Sequence, residues 1–160
     1  MTYHNSKIGS QLSNTKNQVE QTVVMIKPGF TKFLNIETMI TNYILQEAGI
    51  NLRSIIKGTM SKEQAMEFYC DKKDKDFYQE LVDYMSSDEI VGFIFEGEGA
   101  IKKVRRLAEE LRDILKKCFA IKNDVMKNII HATNIKMIEN AESTIDSQRE
   151  IKILENIRRI

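Results

Sequence analysis

Short apolar runs alternate along this chain with stretches whose apolar residues recur every three or four positions. The short runs, bounded by turn signals, predict buried strands at 23–26, 50–58, 89–97 and 128–133. The helical spacing between them predicts amphipathic helices. The predicted order is strand, helix, strand, two helices, strand, helix, strand, which is the ferredoxin-like split β-α-β arrangement. We therefore expect an α+β sandwich, with a four-stranded antiparallel sheet and helices packed on one face.

Polar residues and glycine mark the predicted ends of the first helices. Asn35 is expected to cap the first helix, and Gly49 to end it. Ser61 and Gln64 form a capping-box pattern at the start of a short second helix. Asp76 is expected to cap the third helix.

Two further helices are predicted in the second half of the chain, at about 101–115 and roughly 142–158. The last of these has an apolar stripe that must be buried somewhere, in the chain itself or against another subunit. The stripe consists of Ile151, Ile153, Leu154, Ile157 and Ile160.

Composition narrows the classes of protein that this sequence can represent. The length of 160 residues predicts one domain, at 21–160, after a flexible polar extension at 1–20 that lacks the apolar segment of a secretory signal. The net charge of +1 gives no basic footprint, so we expect no specific nucleic acid partner. No apolar run approaches the length of a membrane span. Cys70 and Cys118 are isolated, which fits a reducing compartment and predicts a cytoplasmic protein.

The candidate for reactive chemistry is His131, at the end of the last apolar run in the segment NIIHATN (128–134). A lone histidine in such a position is more often a core or edge residue than a catalyst. The other histidine, His4, lies in the polar extension. The sequence around His131 has to decide between the two interpretations.

Four segments occur in the order found in nucleoside diphosphate kinases, and the chain resembles that family over about 21–151. The segments are VVMIKP (23–28), FYCDKKDKDFYQELVDYMSS (68–87), IVGFIFEG (90–97) and NIIHATN (128–134). The resemblance implies transfer of the terminal phosphate of a nucleoside triphosphate to a nucleoside diphosphate, by a ping-pong mechanism through phospho-His131. It also implies Mg²⁺ carried by the nucleotide phosphates, with no metal ligands from the protein.

The resemblance further implies which residues contact the nucleoside and the histidine. Lys27 matches a lysine that contacts ribose and phosphate, and Phe77 matches the ring on which the base stacks. Asn128 matches an asparagine that binds the sugar, and Thr133 stands where the family has a serine. Tyr69 matches a tyrosine beside the histidine.

The resemblance also implies which residues bind the phosphates and which residue orients the imidazole. Arg105 and Arg112 match the two phosphate-binding arginines. For the glutamate partner of His131, two placements compete. Counting without a gap gives Glu142, whereas matching the segment SQREIKIL gives Glu150 and requires an insertion after the histidine. Glu150 is preferred because its flanking residues match.

The chain departs from the family between its two arginines. A long loop with a threonine ligand is replaced by RLAEEL (106–111), which has no Gly or Pro and is predicted to continue as helix. Loss of one charge-assisted hydrogen bond costs about 1.5–3 kcal/mol, which slows turnover about ten- to a hundredfold. A working kinase is therefore the preferred hypothesis. The alternative is a catalytically weak nucleotide-binding module with a regulatory or assembly role.

The resemblance also implies a homo-oligomer. Family members form dimers that usually combine into hexamers or tetramers, and the hexamer depends on the long loop that this chain lacks. We therefore expect a stable dimer as the basic unit, and the resemblance allows a hexamer without requiring one. Extra segments and the apolar C-terminal stripe are candidates for replacement contacts between subunits.

Overall fold

A five-stranded antiparallel sheet lies at the centre of the computed structural model, which describes residues 19–119, 129–134 and 140–160. The strands are β1 (Val19–Ile26), β2 (Asn51–Thr59), β3 (Ile90–Glu98), β4 (Ile130–Ala132) and β5 (Arg158–Arg159). The helices are α1 (Ile36–Leu45), α2 (Lys62–Phe68), α3 (Tyr78–Met85), α4 (Ala100–Phe119) and α5 (Asn140–Glu155), and a 3-10 turn spans Cys70–Lys72. Nearly all of the predicted extension at 1–20 lies outside the described residues.

The strand order in the sheet is β4-β1-β3-β2-β5. The central strand β1 pairs along its whole length with β3, from Val19 opposite Glu98 to Ile26 opposite Val91. The short strand β4 pairs with β1 at one edge, and β5 pairs with β2 at the other. The predicted α+β class with an antiparallel sheet is confirmed, with a fifth strand that was not predicted.

Helices cover both faces of the sheet, whereas the sequence predicted helices on one face. Val24 and Ile26 of β1 pack in a core with α1 and α4. Val23 and Met25 point the other way and pack in a second core with α2, α3 and α5. Successive side chains of a strand point to opposite faces, so an unbroken apolar run is typical of a strand that is buried on both sides.

The starts of the helices follow the predicted signals only in part. The capping box is present, because Gln64 N donates to Ser61 Oγ at 3.0 Å and Ser61 N donates to Gln64 Oε1 at 2.9 Å. Asn35 precedes α1 in a left-handed conformation with φ of 65°, and its side chain makes no cap hydrogen bond. Helix α3 begins one residue later than predicted, and Phe77 rather than Asp76 occupies its N-cap position.

The C-terminal segment packs against its own chain. Helix α5 ends at Glu155, before the predicted end near 158, and the chain then forms β5 beside Gly58 of β2. A Cβ atom at Gly58 would lie 2.2 Å from the carbonyl oxygen of Arg158, so the pairing requires a glycine there. The predicted apolar stripe is buried in the chain's own core, apart from the exposed Ile160. No helix that the structure describes has the length and apolar character to cross a membrane.

Candidate active site

His131 lies in the middle of the edge strand β4, opposite Met25 of β1. Directly after β1, Lys27 N donates to the carbonyl oxygen of Ile129 at 3.0 Å, which holds the two strands in register beyond their last paired residues. Side chains two apart along a strand share a face. The pairing therefore brings Lys27, His131 and Thr133 to the same side of the sheet, where α2 and α5 pack.

A buried glutamate holds the imidazole from the side of α5. Glu150 Oε2 lies 3.1 Å from His131 Nε2, and the Thr133 hydroxyl donates to Glu150 Oε1 at 2.7 Å. A carboxylate accepts hydrogen bonds, so Nε2 is the nitrogen that carries the proton in the neutral ring. The other nitrogen, Nδ1, then keeps its lone pair. The residue contacted is the preferred Glu150, whereas the side chain of Glu142 lies outside the described part.

The surroundings of His131 favour its neutral form. Only 8% of the residue is exposed. Burial lowers the pKa of His131 below its usual 6.5, and the nearby charges of Lys27 and Arg112 lower it further. Glu150 acts in the opposite direction, by its charge and its hydrogen bond. Because the net shift is downward, the imidazole is neutral near pH 7, as a nucleophile requires.

Two aromatic rings at the end of α2 form the wall beside the imidazole. The rings of Phe68 and Tyr69 lie with their centroids 5.0 and 5.6 Å from that of His131, both edge to face. The Tyr69 hydroxyl is buried and has no hydrogen-bond partner among the described residues. Burial raises its pKa, so the hydroxyl stays protonated. Tyr69 was predicted at the site, whereas Phe68 was not, although it is the preceding residue.

Lys27 places an ammonium group in the same buried region. The residue is 7% exposed. Burial, together with the positive charges of Arg112 and Lys72, lowers its pKa to about 7. Lys72 was not predicted as a site residue. A buried cation surrounded by other cations is stabilised when an anion arrives, which makes this region a candidate phosphate site.

The two predicted arginines reach the site around the open edge of the sheet. Arg105 Nη1 donates to the carbonyl oxygen of Ala132 at 2.6 Å, and Arg112 Nε donates to that of Ile130 at 3.1 Å. These carbonyls alternate along β4 with the residues that bond to β1, so they face the edge. The two guanidinium groups therefore contact the residues that directly precede and follow His131.

The continuous helix α4 explains why both arginines point the same way. They are seven residues apart, which is close to two helical turns and about 10.5 Å of rise. Each bond to β4 uses one of the five N–H groups of a guanidinium, so other donors are left for an anion. Burial, together with the charge of Arg105, lowers the pKa of Arg112 to about 10. The prediction that 106–111 continues as helix is confirmed.

The remaining predicted residues are less closely tied to His131. Phe77 lies at the start of α3 with 44% of its surface exposed, outside the two cores. Thr133 is buried and its hydroxyl is used within the chain, where it donates to Glu150 and accepts from Val23 N at 3.3 Å. A role for Thr133 as a nucleotide ligand stays a prediction. Asn128 lies outside the described residues.

Comparison with known proteins agrees with this arrangement. The family model described as nucleoside diphosphate kinase matches residues 20–156. The chain belongs to the nucleoside diphosphate kinase family. A nucleoside diphosphate kinase from Persephonella marina is 40% identical over 89 residues, covering 56% of this chain and 62% of that protein, which is less than two thirds of its length. Another from Erythrobacter litoralis is 34% identical over 134 residues, covering 80% of this chain and 91% of that protein.

Solved structures share the fold as well. The crystal structure of the Aquifex aeolicus nucleoside diphosphate kinase matches with a TM-score of 0.64 and 29% sequence identity, over 84% of this chain and 94% of that one. The family and fold class predicted from the sequence are confirmed. The predicted function and enzyme class, those of a nucleoside diphosphate kinase, are supported by the same relatives.

Proposed function

We propose that this chain transfers the terminal phosphate of a nucleoside triphosphate to a nucleoside diphosphate through a phosphate bound to His131. One observation carries the proposal. The imidazole is buried and neutral, its Nε2 is held by Glu150, and cations from the end of β1 and from α4 lie near it. Phosphoryl transfer depends mainly on positioning and on stabilising phosphate charge, which this arrangement provides.

The chemical step uses the free nitrogen of the ring. Nδ1 attacks the terminal phosphorus, a phosphorus–nitrogen bond forms, and the bond to the bridging oxygen breaks, so that the diphosphate leaves with that electron pair. Positive charge develops on the imidazole and is stabilised by Glu150 through Nε2–H. Arg105, Arg112 and Lys27 stabilise the phosphate oxygens. The reverse step, with another diphosphate as acceptor, restores the free histidine.

The nucleoside is held by the more exposed part of the site. Phe77, half exposed at the start of α3, offers a ring on which any base can stack. Asn128 is proposed to bind the sugar, and Lys27 to contact both ribose and phosphate. The unpaired hydroxyl of Tyr69 is proposed to donate to a phosphate oxygen. Thr133 contributes through its bond to Glu150.

Magnesium is proposed to arrive with the nucleotide, since the family uses a divalent metal with its substrate. Among the described residues, no group of three or more His, Cys, Asp and Glu side chains is placed to hold a metal ion. The lining of the site is cationic, which suits phosphate oxygens. Mg²⁺ bound by phosphates and water, where it neutralises phosphate charge, fits this set of residues.

The test is formation of a phosphoenzyme from ATP labelled at the γ-phosphate. Wild-type protein should acquire label that is labile in acid and stable in base, and His131→Ala should acquire none. His4→Ala is the matched control and should label like the wild type. Nucleotide binding without any label would instead support the alternative, a catalytically weak regulatory or assembly module.

We also propose that the basic unit is a dimer. The outer edge of β2 pairs with β5 only at Gly58 and Thr59, so within the described residues its first part is open. Such an edge favours pairing with another chain. A cytoplasmic location stays a prediction, supported by the two free cysteines, Cys70 and Cys118.

A further inference from the structure

A carboxylate lies between the two arginines of the candidate phosphate site, on the same face of α4. Arg105, Glu109 and Arg112 are spaced by four and three residues, so about one helical turn separates Glu109 from each arginine. Glu109 Oε1 lies 3.6 Å from Arg105 Nε. Burial lowers the pKa of Arg112, and the charge of Glu109 opposes that shift. One negative charge therefore acts on both guanidinium groups.

Glu109 lies on the solvent side of this group of charges. Its side chain is 59% exposed, whereas that of Arg105 is 17% exposed. The ion pair is weak, because its atoms are far apart and the arginine precedes the glutamate, which is the less favourable order on a helix. Arg105 Nη1 has a shorter bond, of 2.6 Å, to the carbonyl oxygen of Ala132. Arg105 is thus held in place without Glu109, whose main effect is to bring negative charge to the site.

The next residue, Glu110, has the same charge but faces another part of the molecule. The Tyr43 hydroxyl donates to Glu110 Oε1 at 2.7 Å, and Glu110 Oε2 lies 3.6 Å from Arg106 Nη1. These contacts connect α4 with α1 rather than with β4. Glu110 is therefore a matched comparison for a change of charge on this helix.

We propose that Glu109 limits the affinity of the site for nucleotide phosphates. In the free protein its carboxylate pairs with Arg105, and in the complex it repels the phosphate oxygens that the arginines bind. Such repulsion between partly exposed charges is modest, and salt reduces it. The inference rests on the proposed function, because it takes Arg105 and Arg112 as phosphate ligands.

The repulsion has a consequence for the two half-reactions. A diphosphate must leave after each transfer, so a residue that weakens its binding should speed its release. The effect should be larger for metal-free ADP than for Mg-ADP, because Mg²⁺ neutralises part of the phosphate charge. A carboxylate that contacted the metal would have the opposite effect, since it would strengthen binding of Mg-ADP.

The experiment compares Glu109→Gln and Glu109→Lys with the matched control Glu110→Gln. Dissociation constants for ADP, with and without Mg²⁺, are measured by calorimetry on the full chain at low ionic strength. Glu109→Gln should bind metal-free ADP about three- to tenfold more tightly than the wild type, as expected for removal of one exposed like charge. The gain for Mg-ADP should be smaller. Glu109→Lys should bind more tightly still, and Glu110→Gln should bind like the wild type.

Salt dependence separates charge repulsion from a structural role of Glu109. The gain in Glu109→Gln should shrink as salt is raised to about 0.5 M, because exposed charges are then screened. Affinity equal to the wild type would overturn the proposal, as would a gain that salt does not change. Weaker binding of Mg-ADP would overturn it as well and would make Glu109 a metal contact. Absence of wild-type phosphoenzyme would refute the proposed function alone, because nucleotide affinity is measured without phosphate transfer.

Discussion

Each residue around His131 controls a different property of its imidazole. Glu150 sets the tautomer, since its carboxylate accepts from Nε2. Burial sets the protonation state by lowering the pKa below 6.5. Phe68 and Tyr69 fix the plane of the ring through edge-to-face contacts. These effects act together because His131 lies on β4, where side chains from α5 and from the end of α2 contact its ring.

Replacing the carboxylate should therefore slow the attack of His131 on phosphate. In Glu150→Gln the amide keeps the shape but loses the charge that stabilises the phosphorylated ring. The charge-assisted bond contributes about 1.5–3 kcal/mol, so phosphoenzyme formation should slow about ten- to a hundredfold in single-turnover measurements. Glu155→Gln, at an exposed position on the same helix, is the control. Equal rates in the two variants would show that Glu150 does not support the attack, and would favour Glu142 as the carboxylate partner of His131.

Two titrations should limit the pH range in which the free enzyme captures ATP. Protonation of His131 removes the nucleophile, but only below pH 6.5, because burial lowers its pKa. Loss of the proton from Lys27, whose pKa is about 7, weakens attraction for phosphate as the pH rises. The kcat/KM for ATP should fall on both sides, whereas kcat should persist to higher pH because bound phosphate raises the pKa of Lys27.

Lys27→Arg tests the alkaline side of that profile. A guanidinium stays charged throughout this range, so the fall in kcat/KM near pH 7 should disappear while the acid fall remains. Lys57→Arg, at an exposed position on β2, should keep the wild-type profile. An alkaline fall that persists in Lys27→Arg would assign the titration to another group.

At the scale of elements, α4 and β4 form one unit that presents the site. The helix covers one face of the sheet with its apolar side and bonds the exposed carbonyls of the edge strand through two arginines. Edge strands leave such carbonyls without partners in the sheet. The same two side chains thus stabilise the strand that holds His131 and bring positive charge to it.

The glycines of β3 offer a matched test of how closely the elements pack. A Cβ atom at Gly97 would lie 2.2 Å from the backbone oxygen of Gly49, whereas one at Gly92 would lie 2.8 Å from the end of the Leu154 side chain. Backbone cannot easily move, but a leucine methyl can. Gly97→Ala should lower the free energy of unfolding by about 1–3 kcal/mol in urea titrations. Gly92→Ala should lower the free energy of unfolding by less. A larger loss for Gly92→Ala than for Gly97→Ala would contradict this explanation.

At the scale of the whole molecule, the buried C-terminal stripe changes what can hold an assembly together. Ile151, Ile153, Leu154 and Ile157 pack inside the chain and cannot contribute to a subunit interface. The open part of β2 is left as the candidate surface, and some apolar residues outside the two cores are exposed. Leu34, Met39 and Ile55 are 87%, 40% and 41% exposed.

Light scattering after size exclusion should therefore give twice the chain mass of 18.6 kDa over a range of concentrations. Ile55→Glu on β2 should shift the protein toward the monomer, because a charge opposes burial of that edge. Ile145→Glu, at an exposed site on α5, should leave the mass unchanged. A wild-type monomer at every concentration would rule out the dimer.

The sequence by itself determined the features that depend on neighbouring residues. Periodicity predicted most strands and helices, the capping box was read from Ser61 and Gln64, and the uninterrupted helix was read from 106–111. Family motifs pointed to His131, and matching flanking residues pointed to Glu150. These signals are local, because strand and helix patterns repeat within a few positions.

Tertiary structure alone decided which distant side chains meet. The bonds of Arg105 and Arg112 to β4 depend on β4 being the edge strand, which follows from strand order rather than from spacing. The contact of Phe68 with His131 and the charge of Lys72 near Lys27 depend on how α2 and its turn pack over β1. The second covered face and β5 arise in the same way, because the energy of burial depends on partners far along the chain.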